Sequence, residues 1–381
     1  MRITRIETFL VAPRWLLCCV ETDEGVVGWG EPVVEGRAAT VRAAVEELSD
    51  LLLGEDPTAI EHHWQRLTKA AFYRGGPVLS SAVAGLDQAL WDIAGKRLGV
   101  PVYRLLGGPV RDRVRVYGWV GGDDPAQLGE AVAARVESGL TAVKMNAAGV
   151  VGRSPTVREI DAVVERLAQV RAVLGDDRDV AVDFHGRFNA AAARRVLPLL
   201  EPLRPMFVEE PVLPEYGHRL ADVVGASPVP IATGERLYSR GDFLPALQAG
   251  IAVAQPDLSH AGGISEVRRI AALAETYDAL LAPHCPLGPV ALAASLQVAF
   301  ATPNFLIQEQ GIGIHYNREA ELLDYVLDTG VFAFPDGHMR RTEAPGLGVA
   351  VDEDAVRAAD RVGHRWRPPV WSHDDGSFAE W

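Results

Sequence analysis

At 381 residues the chain is longer than one compact core usually holds, so two domains are the starting expectation. Apolar residues make up 48% and charged residues 23%, ordinary for a globular enzyme, and a net charge of −14 with no clustering of Lys and Arg excludes a nucleic-acid partner. No apolar stretch approaches the roughly 20 residues needed to cross a bilayer, and the three cysteines (Cys18, Cys19, Cys285) are too few for a disulfide framework and lack zinc spacing, so a protein of the reducing cytoplasm is expected.

Residues 1–34 read as a β-meander. Ile3–Phe9 alternates apolar and polar residues, Trp15–Val20 is a short apolar strand running to a turn at Asp23-Glu24-Gly25, and Gly25–Gly30 is a second extended run. Arg37–Leu53 carries Ala, Val, Glu and Leu at helical spacing. Asp56-Pro57 predicts a helix with Pro at its first position, and Ser80–Leu98 a long Ala/Leu helix ending at Gly99. Residues 1–113 are thus expected to form a small α+β domain.

From Val114 a module repeats: a short apolar run, a polar residue, a loop, then an Ala-rich helix. The runs are Val114–Val120, Ala142–Met145, Val180–Phe184, Met206–Val208, Val229–Ala232, Ala252–Gln255, Ala279–Pro283 and Asn304–Gln308. Eight of them predict a (β/α)8 barrel, a TIM-type fold, over residues 114–330. Residues 331–381 lack the module. Gly346–Val351 and the tail with Trp366, Pro368, Pro369 and Trp371 are expected to return and pack on the first domain.

At the C-terminal ends of the proposed strands stand Lys144, Asp183, Glu209, Glu235, Asp257, His284 and Glu309, the last six recurring every 22–27 residues. Parallel barrel strands bring such residues to one face, where these folds place their sites. A single strand-end carboxylate is ordinarily just solvated, but so many at one mouth resist joint ionisation unless a cation is present. Asp183, Glu209 and Glu235 come from adjacent strands and offer hard oxygen ligands, a donor set suited to Mg²⁺. Alternation puts Asp183 with His185, and Lys144 with Asn146, on one strand face. For Glu209-Glu210 it admits only one inward side chain and does not choose which.

These motifs carry a resemblance. Val180–Phe188 (VAVDFHGRF), Val208–Pro211 (VEEP), Ala232–Arg236 (ATGER), Gln255–Gly263 (QPDLSHAGG), Ala282–Pro289 (APHCPLGP) and Gln308–Gln310 resemble the enolase superfamily, mandelate racemase subgroup. Trp29–Pro32 (WGEP), Phe72–Pro77 (FYRGGP), Gly118–Gly122 (GWVGG), Gly313–Asn317 (GIHYN) and the closing Phe378–Trp381 extend the likeness end to end, toward its dehydratases of aldonic acids. The resemblance implies a capping first domain and Mg²⁺ held by Asp183, Glu209 and Glu235. It implies His284 as general base oriented by Asp257, His185 as general acid, and Glu309 and Lys144 stabilising the enolate. Substrate contacts are implied at Asn146 and at the cap residues Glu31 and Arg74, with specificity supplied by the loops near Glu31–Arg37 and Arg74. Asn146 stands where the racemases carry a second lysine, which disfavours two-base racemisation and favours one-base elimination. The family also implies a homo-oligomer. The alternatives are another aldonic acid as substrate, or a non-catalytic carbohydrate- or metal-binding barrel.

Overall fold

The computed structural model describes residues 1–121, 128–315 and 317–381; Gly122 and Tyr316, members of two of the motifs above, lie outside them. An antiparallel sheet of β1 (Ile3–Val11), β2 (Trp15–Thr22) and β3 (Val27–Gly30) opens the chain, with the apolar run Trp15–Val20 fully buried as its central strand. Helices α1 (Ala38–Ser49), α2 (Ile60–Lys69), α3 (Pro77–Leu98) and the short α4 (Val102–Leu105) follow. The expected helix start at Pro57 is corrected to Ile60. Asp56 Oδ1 accepts from the backbone N–H and hydroxyl of Thr58, a local turn that competes with helix initiation.

Helix α3 is buried almost all round over Ser81–Gly95, because the cap sheet lies on one side and the barrel on the other. Glycine makes the sheet contact possible. A Cβ on Gly30 would stand 1.9 Å from Gly85 O and one on Gly28 2.1 Å from Ala89 O, so the strand approaches the helix backbone through its glycines.

The barrel strands are β4 (Arg113–Val120), β5 (Ala142–Asn146), β6 (Asp179–Asp183), β7 (Val208–Glu209), β8 (Ile231–Thr233), β9 (Val253–Ala254), β10 (Leu280–Leu281) and β11 (Gln308–Glu309). They pair in parallel in that order, β11 returns to β4, and a parallel bridge from Leu281 to Phe305 closes the ring. Outer helices are α5 (Leu128–Glu137), α6 (Val157–Leu174), α7 (Ala190–Leu200), α8 (Leu220–Val224), α9 (Arg240–Gln248), α10 (Gly263–Glu275) and α11 (Pro289–Ala301). Among the described residues no helix is long and apolar enough to cross a membrane.

Every barrel position contributes one side chain to a separate buried cluster: Tyr117, Ala142, Ala181, Phe207, Ala232, Val253, Ala282 and Ile307. This layer fills the bore and makes it a floor rather than a channel.

The last segment contacts both parts. β12 (His338–Arg340) pairs antiparallel with β4, Gly346 bridges Pro101, and α12 (Glu353–Val362) lies on β1, where Asp360 Oδ1 accepts from Leu10 N–H at 2.7 Å. A small hairpin of β13 (Trp371–Ser372) and β14 (Phe378–Ala379) ends the chain.

Candidate active site

Two residues beyond each member of the floor layer, the pleat returns a side chain to the bore. These are Trp119, Lys144, Asp183, Glu209, Gly234, Gln255, His284 and Glu309. The one position without a side chain is Gly234, at φ 149, where a Cβ would meet the Phe243 ring at 2.6 Å. The acidic group at this position, Glu235, therefore comes from the loop rather than from the strand.

Lys144 sits at the centre, fully buried. Its Nζ donates to Glu209 Oε1 and Oε2 at 3.0 and 2.8 Å, and lies 3.1 Å from Glu309 Oε1 and 3.6 Å from Asp183 Oδ2. The faces of Trp119 and Tyr117 lie 4.7 and 5.5 Å away. Burial alone would lower the lysine pKa, but the carboxylates raise it well above its ordinary value, so the ammonium is permanent.

Glu309 is also fully buried. Oε1 accepts from the Trp119 indole at 2.5 Å and Oε2 from Cys285 N–H at 2.9 Å.

His284 Nδ1 donates to Asp257 Oδ2 at 2.7 Å, and Asp257 Oδ1 accepts from Ser259 N–H at 2.6 Å. That contact orients the ring and leaves Nε2 as the nitrogen that faces the cavity, 3.4 Å from Glu235 Oε2. Burial lowers the imidazole pKa, yet the charges of Glu235, Glu309 and Asp257 outweigh it and hold it well above 6.5.

His185 comes to the site by a turn, which corrects the expectation from strand alternation. β6 ends at Asp183, and His185 has φ 48; its N–H donates to Asp183 Oδ1 at 2.8 Å. Its Nε2 lies 3.0 Å from Asp183 Oδ2, its buried Nδ1 has no hydrogen-bond partner among the described residues, and its ring stacks on Trp119 at 5.8 Å. Glu210 has φ 44 just after β7, so Glu209 and Glu210 are both buried at the mouth, where alternation admitted one. Arg236 binds Glu210 through two parallel bonds of 2.7 and 2.5 Å.

Asp183, His185 and Glu235 bring ligand atoms within 4.8 Å of one another, and Glu209 pairs with Asp183 in the ladder between β6 and β7. Asp183 Oδ2 is buried without a well-formed hydrogen bond. Burial and neighbouring carboxylates push Glu209 and Glu235 up to about 8 each, whereas His185 and Lys144 overcome burial and keep Asp183 low. A set of crowded oxygen ligands that resists joint ionisation is what a hard divalent cation relieves, so the donor set fits Mg²⁺.

Above the floor opens a cavity of about 360 Å³, lined by His185, Glu235, His284 and Asn146 from the barrel, Arg14 and Glu35 from the cap, and Trp366 and Trp381 from the tail. A cavity of this size suits a six-carbon acid. Two implied cap contacts are not brought to it. Glu31 is fully buried, and its carboxylate accepts from the N–H groups of Gly288, Val290 and Ala291 at the start of α11. Arg74 is exposed and donates to Ala71 O. The expected cap loop at residues 31–37 reaches the cavity through Glu35 rather than Glu31, while sequence reasoning missed Arg14, His260, Arg236 and the two tail tryptophans as lining residues. His260 and Arg236 lay inside motifs already singled out, and the order SHAGG was the available signal.

Residues 8–107 match the mandelate racemase / muconate lactonizing enzyme N-terminal domain and residues 127–355 the enolase C-terminal domain-like family. D-galactonate dehydratases of Ralstonia pickettii (strain 12J) and Pectobacterium atrosepticum are 54% and 51% identical, each covered in full by the whole of this chain. A crystal structure of an enolase from Agrobacterium radiobacter, provisionally named a galactarate dehydratase and holding sodium and L-malate, superposes with a TM-score of 0.90 at 35% identity over 100% of both chains. The chain belongs to the enolase superfamily, in its mandelate racemase and muconate lactonizing branch. It is an enzyme of the hydro-lyase class.

Proposed function

We propose that the protein dehydrates an acid sugar, taking D-galactonate to 2-dehydro-3-deoxy-D-galactonate. The observation that carries this reading is the placement of two histidines in one cavity. His284 follows β10 and His185 follows β6, four strands apart in a ring of eight, so they face each other from opposite walls. The full-length likeness to galactonate dehydratases supports the substrate.

In this reading Nε2 of His284 takes the proton from C2, and Asp257 stabilises the imidazolium formed. The C–H electron pair moves into the carboxylate, giving an enediolate whose charge lies toward the Lys144 ammonium, with Glu309 orienting the carboxylate end. Return of that pair breaks the C3–O bond, and His185 protonates the leaving hydroxyl so that it departs as water. The enol then tautomerises to the 2-keto acid. Asp183, Glu209 and Glu235 would hold Mg²⁺, which supplies positive charge beside the developing oxyanions. Asn146 offers a neutral amide where a second base would be required for racemisation. Residues 1–113 act as cap, 114–330 as barrel and 331–381 as a strap joining them, a division supported by α12 on β1 and β12 on β4.

A panel of aldonic and aldaric acids incubated with Mg²⁺ and scored for 2-keto product tests this. Galactonate should turn over fastest, and chelation should abolish turnover. A panel in which no aldonic acid yields 2-keto product would refute the reading.

A further inference from the structure

Beside the base stands a polar group that the reaction above does not use. Arg14, whose side chain is 1% exposed, donates through Nη1 to Glu35 Oε1 at 2.7 Å and through Nη2 to Pro286 O at 2.5 Å. Glu35 Oε2 stands 3.4 Å from Nε2 of His260, a contact too long for a well-formed hydrogen bond. That nitrogen is buried and makes no well-formed hydrogen bond among the described residues. The other ring nitrogen of His260 lies 3.7 Å from Asp257 Oδ2, and the His260 and His284 ring centres are 6.0 Å apart. Arg14, Glu35 and His260 all line the 360 Å³ cavity, two from the cap and one from the loop after β9.

With C2 against His284, a six-carbon acid in the proposed reaction has room for its far carbons past His260 toward Arg14 and Glu35, which line the same cavity. There it meets a carboxylate already neutralised by an arginine, next to a buried ring nitrogen seeking a partner. A hydroxyl satisfies both, donating to the carboxylate and accepting from the imidazole. A second carboxylate does not, because it would face Glu35 after Arg14 has been taken. We propose that Glu35, held by Arg14 and set beside His260, is the specificity-determining residue that selects an acid sugar ending in a hydroxyl over the corresponding diacid. This rests on the aldonate-dehydration reading and names how that site excludes the aldaric acids. Attraction and rejection are combined in one side chain.

The test compares kcat/KM for galactonate and galactarate, each with Mg²⁺, in three proteins. The wild type should strongly prefer galactonate. Glu35→Gln keeps size and removes charge, leaving Arg14 to meet a second carboxylate. The preference should move toward galactarate on the order of 10²-fold, mainly through KM. His260→Gln should raise KM for galactonate without admitting the diacid. A Glu35→Gln ratio within a few-fold of the wild type, in an enzyme that dehydrates galactonate, overturns the proposal and leaves the aldonate reading intact. A wild type that dehydrates only the diacid overturns the proposal and the choice of galactonate together. Should Glu35→Gln fail to fold, Glu35→Asp decides: it must still exclude galactarate while weakening galactonate, and acceptance of the diacid by that variant overturns the proposal.

Discussion

His284 shows how its neighbours set the working state of one residue. The charges of Glu235, Glu309 and Asp257 raise its pKa well above 6.5, so without a cation the imidazole is protonated at neutral pH and is no base. Neutralising Glu235 removes the largest of those raising influences. Proton NMR of the His284 ring should therefore show titration well above 6.5 in chelated protein and a shift to lower pH when Mg²⁺ is added; an unchanged or rising midpoint would contradict the ligand assignment. At this scale the sequence was partly legible. Asp183, Asp257, His284 and Glu309 follow from even spacing, and Lys144 from its place at the end of its own apolar run, whereas the choice of Glu209 over Glu210 came from the resemblance alone. His185 and Glu210 adopt positive φ after their strands end, and a period-two argument carries no information once the strand has stopped. The loop that carries Glu35 was legible but not which of its residues faces the cavity, and Arg14 was not legible at all, since it meets Pro286 across 272 positions of sequence.

Among the elements, the cap grips the barrel through helix N-termini. Glu31 from the loop after β3 accepts from three N–H groups at the start of α11, and Asp87 on α3 accepts from the backbone N–H and hydroxyl of Ser265 in the first turn of α10. Each carboxyl satisfies donors that a helix leaves unpaired and adds negative charge where the helix dipole favours it. Glu31→Ala should thus cost about 1–3 kcal/mol, the penalty for stranding buried donors. Urea unfolding would register it; no loss would mean that water replaces the carboxylate. The pH dependence has a definite sign. Burial outweighs the N–H donors and pushes both Glu31 and Asp87 up to about 7, from unfolded values of 4.5 and 3.8. Their proton-linked stabilisation is full below the unfolded values and is lost as pH rises through about 7, so the urea midpoint should fall between pH 5 and pH 8. The long α3 and the apolar strand β2 were legible from composition and the turn or glycine that ends each. The start of α2 was not, because the side chain of Asp56 turns the chain locally before the helix begins.

For the whole molecule, the barrel was legible because eight short apolar runs repeat with little variation, and closing them into a ring needs only the bridge from Leu281 to Phe305. What lies over its mouth was less so. The tail places Trp366 and Trp381 in the cavity wall, and a Trp/Pro-rich composition shows that such a segment packs without showing where. Together, cap, barrel and tail enclose a cavity in which the proposed acid and base come from opposite walls, and separating those two roles is the most direct test. The measurement is proton NMR of D-galactonate in D₂O with Mg²⁺ and the His185→Asn enzyme, following the C2 signal beside the 2-keto-3-deoxy product. Base chemistry at His284 should continue, so the C2 proton should exchange for deuterium while dehydration falls by roughly 10²–10⁴, the usual loss of a general acid. Dehydration at the wild-type rate, or loss of exchange and dehydration together with metal affinity unchanged, would contradict the assignment of His185 as the acid and His284 as the independent base.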